Sequence, residues 1–182
     1  MQKNLYYIAI ILPEPVQSEI TQFKLEAQKL FASSKALNSP AHITLVPPFK
    51  TLAKSEQVLK QYLSEILKDK KAFYIHLNGW GKFDSHAIYI KVEENPHLTR
   101  LRNLLLDKYE PFLDSSRYYD KKKFIPHITV AFRDIKRDVF DKAWRYFSSK
   151  EYIRTVKIEN VAILKHDNRQ WRVYPHLSFK LA

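Results

Sequence analysis

The sequence predicts an α+β fold: a bilobal, pseudo-twofold duplicated architecture with two small sheets lining a central cleft and helices on the outer faces. Three observations point there. Strand-like and helix-like segments alternate along the chain, the order repeats in its two halves, and nearly the same words stand at corresponding places: "HITLVPPF" from His42 and "PHITVAF" from Pro126.

The elements follow from periodicity. Leu5–Leu12 is a continuous apolar run and reads as a buried strand. Val16, Ile20, Phe23, Ala27, Leu30 and Phe31 recur at steps of three and four, a helix that Pro13 and Pro15 can open. His42–Val46 is the second strand, and Val58, Leu59, Tyr62, Leu63, Ile66 and Leu67 mark the second helix. Phe73, Ile75 and Leu77 alternate with polar neighbours, a third strand ending near Gly79.

The pattern then restarts. Ala87–Val92 is a strand, and Leu98, Leu101, Leu104 and Leu105 mark a helix. Phe124–Phe132 carries the second motif, and Ile135, Val139, Phe140, Ala143 and Phe147 mark another helix. Tyr152–Lys165 and Trp171–Phe179 read as two final strands in a hairpin turning at His166–Arg169. One domain is expected, with an N-terminal repeat over about 1–82 and a C-terminal repeat over about 83–182 that interleave at their ends. Helices between strands suggest parallel neighbours; strand order does not follow from the sequence.

Composition bounds the function. With 182 residues, 45% hydrophobic and 14% aromatic, the chain can bury one good core. It has no cysteine, which rules out disulfides and thiolate metal sites and fits a reducing cytoplasm. The longest apolar run, Leu5–Leu12, is too short to span a bilayer, so a membrane role is not expected. Lys and Arg number 31 against 19 acidic residues, a net charge of +12 that favours anionic partners such as RNA or nucleotides. Within "RYYDKKKF", Lys121, Lys122 and Lys123 form a candidate phosphate-attracting rim. No phosphate-binding glycine loop, metal motif or cofactor motif is present, and no obligate protein partner is implied.

On a strand, residues two apart share a face. His42 and Thr44 therefore point together, opposite Ile43 and Leu45; His127 and Thr129 do the same, opposite Ile128 and Val130. Shuffling a chain of this composition gives roughly 0.2 His-x-Thr words; of the three present, His97–Thr99 falls in a helix-like stretch, and the other two stand on matched apolar strands of the repeat. Two imidazoles across a cleft suit acid–base catalysis, one neutral and one protonated near pH 7. The threonine hydroxyls can donate to a phosphate between them. The other histidines, His76, His86, His97, His166 and His176, read as structural or surface residues, and Tyr7, Phe49, Trp80, Phe83 and Tyr89 as core aromatics more than base platforms.

The paired words resemble the two-histidine phosphoesterase superfamily, whose members are called 2′-5′ RNA ligases or RNA 2′,3′-cyclic phosphodiesterases. The resemblance implies a bilobal fold and action on RNA ends or small nucleotides bearing a cyclic phosphate. It implies hydrolysis to a 2′-phosphate without a metal or cofactor, and in some members reversible 2′-5′ joining. By motif match it makes His42, Thr44, His127 and Thr129 catalytic, with His42 as the acid and His127 as the base. Relatives often carry an arginine soon after the second motif. Here the nearest is Arg133, which a regular strand would place on the His127 face as a phosphate ligand. The competing reading is a nucleotide- or RNA-binding module that keeps the cleft without turnover.

Overall fold

The computed structural model describes residues 3–113 and 124–182. In chain order the elements are β1 (Lys3–Ile11), α1 (Val16–Phe31), β2 (His42–Leu52), α2 (Glu56–Leu67), β3 (Phe73–Phe83), β4 (Ala87–Val92), α3 (Pro96–Tyr109), β5 (His127–Phe132), α4 (Arg137–Ser148), β6 (Ile153–Ile158), β7 (Asn160–His166) and β8 (Trp171–Lys180). They form two four-stranded sheets, ordered β2-β1-β7-β8 and β5-β4-β3-β6. Both motif strands are sheet edges, and β2 and β5 lie against each other where the sheets meet.

The α+β class holds; the expectation of parallel neighbours does not. All six strand pairings run antiparallel, including β1 with β2, which α1 separates in sequence. The reason is where α1 packs. A crossover helix enforces parallel strands when it lies on its own sheet and carries the chain back to the starting end. Here α1 packs against β5 and α4, on the other sheet, and α3 packs against β2 and α2. The chain then re-enters β2 at the end β1 left, with Ile11 opposite His42.

The two repeats exchange strands as well as helices. β3 pairs with β4 and β6 in the second sheet, while β7 and β8 complete the first. The run Tyr152–Lys165, expected as one strand, is two: β6 ends at Ile158 and β7 begins at Asn160 in the other sheet. Alternation of side chains cannot register such a transfer, because both pieces are apolar strands. The second motif strand also begins at His127, not Phe124.

Burial follows the pleat. Tyr6, Ile8 and Ile10 of β1, Ile43 and Leu45 of β2, Ile88 and Ile90 of β4 and Ile128 and Val130 of β5 all join one core shared by both sheets and all four helices. Both motif strands carry the same interruption. Between Ala9↔Thr44 and Ile8↔Val46, and again between Tyr89↔Thr129 and Ile88↔Ala131, the motif strand has one residue more than its partner. This bulge puts two successive residues, Leu45 with Val46 and Val130 with Ala131, on the core side. His42 and Thr44, like His127 and Thr129, are left partly exposed on the opposite face.

Two local features tie the lobes to this geometry. Gly81 lies opposite Tyr89, and a Cβ there would come within 2.4 Å of the Tyr89 ring, so glycine is what lets that ring lie across β3. Asp134, just after β5, binds the segment after α1: its carboxylate accepts from Ser33 Oγ and Ser34 N at 2.8 Å, from Lys35 N at 2.9 Å and from Ser34 Oγ at 3.2 Å. Partial burial pushes this carboxyl up, but the four donors outweigh it and hold it below its usual 3.8. None of the helices is long and apolar enough to cross a membrane, among the described residues.

Replacing Gly81 by Ala should destabilise the fold by about 1–3 kcal/mol through overpacking, read in thermal unfolding; an unchanged midpoint would mean that Tyr89 can move aside freely. The Asp134 contribution is expected to be full above the unfolded-state value and to drain as pH falls through the lower folded one. The urea midpoints of wild type and Asp134→Ala should therefore differ at pH 7 and converge below pH 4; a gap independent of pH would contradict the assignment.

Candidate active site

The site starts from the two edge strands. On each, the histidine ring is fixed by its own backbone two residues earlier: His42 Nδ1 lies 2.8 Å from the Pro40 carbonyl and His127 Nδ1 lies 2.8 Å from the Ile125 carbonyl. A carbonyl can only accept, so Nδ1 carries the hydrogen in both rings. Each Nε2 is then left with a lone pair when the ring is neutral and a proton when it is charged. The two rings therefore present the same nitrogen in the same tautomer.

Both motifs line one cleft of about 530 Å³ between the sheets, with His42 and Thr44 on one side and His127 and Thr129 on the other. The rings are close enough for the charge of His127 to act on His42. Around them stand Lys35 and Arg133 as the cations of the wall, and no carboxylate lines the cleft among the described residues. Lys35 and Arg133 in the wall favour an entering anion.

Arg133 reaches the cleft by a route that strand alternation does not contain. Regular alternation would bring it to the His127 face. The bulge at Val130 and Ala131 instead gives that face to Phe132, and the strand ends there. Arg133 then takes a left-handed backbone, φ 62°, which folds it back over the Phe132 ring at 4.7 Å. Its amide donates to the His86 carbonyl at 3.1 Å, and the four bonds to neighbouring Asp134 hold the turn. Lys123, Lys122 and Lys121 lie outside the described residues.

Two histidines assigned to structure or surface belong to the cleft. His86, in the β3–β4 hairpin, and His166, at the start of the β7–β8 hairpin, both line it. His86 sits in a turn and His166 at the end of a strand, and only the tertiary fold makes them neighbours of the motifs. Trp171 and Phe132 also line the cleft, and neither carried a sequence signal. Among the named aromatics, Tyr7 packs on His42 at 5.1 Å and Tyr89 on His127 at 5.1 Å, while Phe83 meets His127 edge-on at 4.9 Å. Phe49 and Trp80 are core residues. Among the described residues no three His, Asp or Glu come together as a metal-holding group.

Burial decides the electrostatics of the pair. It pushes His42 down to about 4, against the Pro40 carbonyl, which favours the charged ring; Lys24 and His127 add like-charge repulsion in the same direction as burial. Burial also lowers His127, again opposed by its backbone carbonyl. Both shifts favour the neutral ring.

Known proteins fit this geometry. A family model described as the 2′-5′ RNA ligase superfamily matches residues 12–170. A provisionally named phosphoesterase of Geobacillus sp. (strain WCH70) is 26% identical over 154 residues, covering 79% of this chain and 85% of that protein. LigT of E. coli, crystallised with 3′-AMP, superposes with a TM-score of 0.70 at 18% identity over 100% of this chain and 99% of its own. A Thermus thermophilus protein superposes at 0.68 with 18% identity, covering 97% of each chain. These two share the fold. Other crystals of LigT hold ATP and NADP+. Matched through most of its length, the chain belongs to the 2′-5′ RNA ligase superfamily of two-histidine phosphoesterases.

Proposed function

We propose that the protein hydrolyses 2′,3′-cyclic phosphate ends of RNA or of small nucleotides by paired-histidine acid–base catalysis that needs no metal, and that the same cleft can join RNA ends reversibly through a 2′-5′ linkage when an RNA 5′-hydroxyl takes the place of water. One observation carries this reading: two imidazoles in the same tautomer line a single cleft from opposite lobes, with no carboxylate in its lining among the described residues. Nucleotides bound to LigT support the substrate class.

The step is an in-line displacement. The neutral ring takes a proton from water through Nε2 while the water oxygen attacks phosphorus. The bond from phosphorus to the 3′ oxygen breaks, and the charged ring gives its Nε2 proton to that oxygen. The product is a 2′-phosphate with a free 3′-hydroxyl, and the two rings have exchanged protonation states. Thr44 and Thr129 donate to the equatorial phosphate oxygens, whose charge grows in the transition state. With His42 as the acid, the substrate must place a proton on the ring that resists it most, which couples substrate binding to proton uptake.

His42→Ala and His127→Ala should each slow hydrolysis of 2′,3′-cyclic AMP in EDTA by about 10²–10⁴-fold, with the wild-type product read by mass as the 2′-phosphate. Full rate in both variants would remove the acid–base assignment, and tight, salt-sensitive RNA binding with no product would favour the binding-module reading. Arg133→Ala should weaken kcat/KM about 10-fold, mainly through KM, as loss of one charged hydrogen bond. In the free protein both rings ionise below 6.5, so the singly protonated pair is most populated below that pH. The kcat/KM profile is therefore expected to peak below pH 6.5, with the kcat profile displaced upward because the bound anion favours the imidazolium. Coincident profiles centred above pH 7 would contradict this.

A further inference from the structure

The buried stripe of α1 contains a cation. Its members are Val16, Ile20, Lys24, Ala27 and Phe31, and Lys24 is 2% exposed. Burying a charge is costly unless something compensates it, yet among the described residues Lys24 has no carboxylate partner. Burial pushes its ammonium down to about 8, which leaves it charged near neutrality.

Its hydrogen bond goes to backbone beside the site. Lys24 Nζ donates to the Ser39 carbonyl at 2.9 Å. Two turns earlier on α1, Gln17 Oε1 accepts from the Ala41 amide at 2.7 Å. The Ala41 carbonyl in turn accepts from Leu12 N at 3.2 Å, which anchors the segment to the end of β1. These bonds bracket Pro40, whose carbonyl orients His42. At the corresponding point of the second lobe, Ile125, whose carbonyl orients His127, is 55% exposed.

We propose that Lys24, together with Gln17, is a positioning residue for His42, acting through the backbone of Ser39, Pro40 and Ala41. The inference rests on the reading of His42 as an acid–base group. It gives the pseudo-symmetric pair an asymmetry, because the Lys24 charge acts against a proton on His42. The groups facing His42 are Tyr7 on its own sheet, Lys24 behind it and His127 across the cleft; Lys35 and Arg133 are the other charges in the wall.

The test compares Lys24→Met and Gln17→Leu with wild type, using 2′,3′-cyclic AMP turnover and the pH titration of the His42 and His127 rings by NMR in the substrate-free protein. Lys24→Met should lower kcat about 10–100-fold with little change in KM, and the His42 midpoint should rise as the like charge is removed while that of His127 stays. Gln17→Leu removes no charge; its kcat should fall without a rise in the His42 midpoint. Wild-type kcat in Lys24→Met, or a His42 midpoint that does not move, overturns the inference. If Lys24→Met does not fold, Gln17→Leu decides, and an unchanged kcat there overturns it. Full activity in His42→Ala would instead remove the catalytic reading, and the His42 titration in Lys24→Met would still report whether the lysine acts on the ring.

Discussion

The hydrogen bond from each histidine Nδ1 to a carbonyl two residues behind it is the constraint on which the site depends. It selects one tautomer, sets the ring against its own strand and leaves Nε2 as the nitrogen not used by the backbone. Because the same bond forms in both repeats, a duplicated fold yields two equivalent nitrogens instead of two unrelated histidines. Everything else brings those nitrogens together. Edge placement of β2 and β5 lets the motif strands meet without pairing, and the bulge after each threonine turns the aliphatic residues that follow into the core.

The exchange of elements between repeats ties the two walls of the cleft together. With α1 packed on the second sheet, α3 on the first, and the chain passing from β6 to β7 across the junction, neither lobe contains a complete half of the sequence. Asp134 adds a polar fastening between the segment after α1 and the turn after β5. A catalytic pair needs its groups held to within fractions of an ångström, and shared core with interlocked helices is a direct means to that end.

The motif residues were legible because their signal is local. His42, Thr44, His127 and Thr129 are named by word, strand period and repetition, and the structure brings all four to one cleft. What was not legible is what tertiary contacts decide. His86 and His166 read as turn residues because nothing in a turn records which cleft it borders. Arg133 arrives at the expected place by a different path: strand alternation does not foresee the bulge at Val130 and Ala131 or the left-handed turn that replaces it. Strand order was hidden because a helix between two strands does not say on which sheet it packs. Lys24 shows the same limit on a helix, where it occupies a buried position while Leu30, of the apolar pattern, is 50% exposed.

The central claim is that one phosphate bridges both imidazoles. A crystal structure of the protein with 2′-AMP tests it directly. Phosphate oxygens should lie within hydrogen-bond distance, about 2.7–3.2 Å, of Nε2 on His42 and on His127 together, with the threonine hydroxyls on the remaining oxygens. A phosphate held by one ring alone, or seated outside the cleft, would contradict the account.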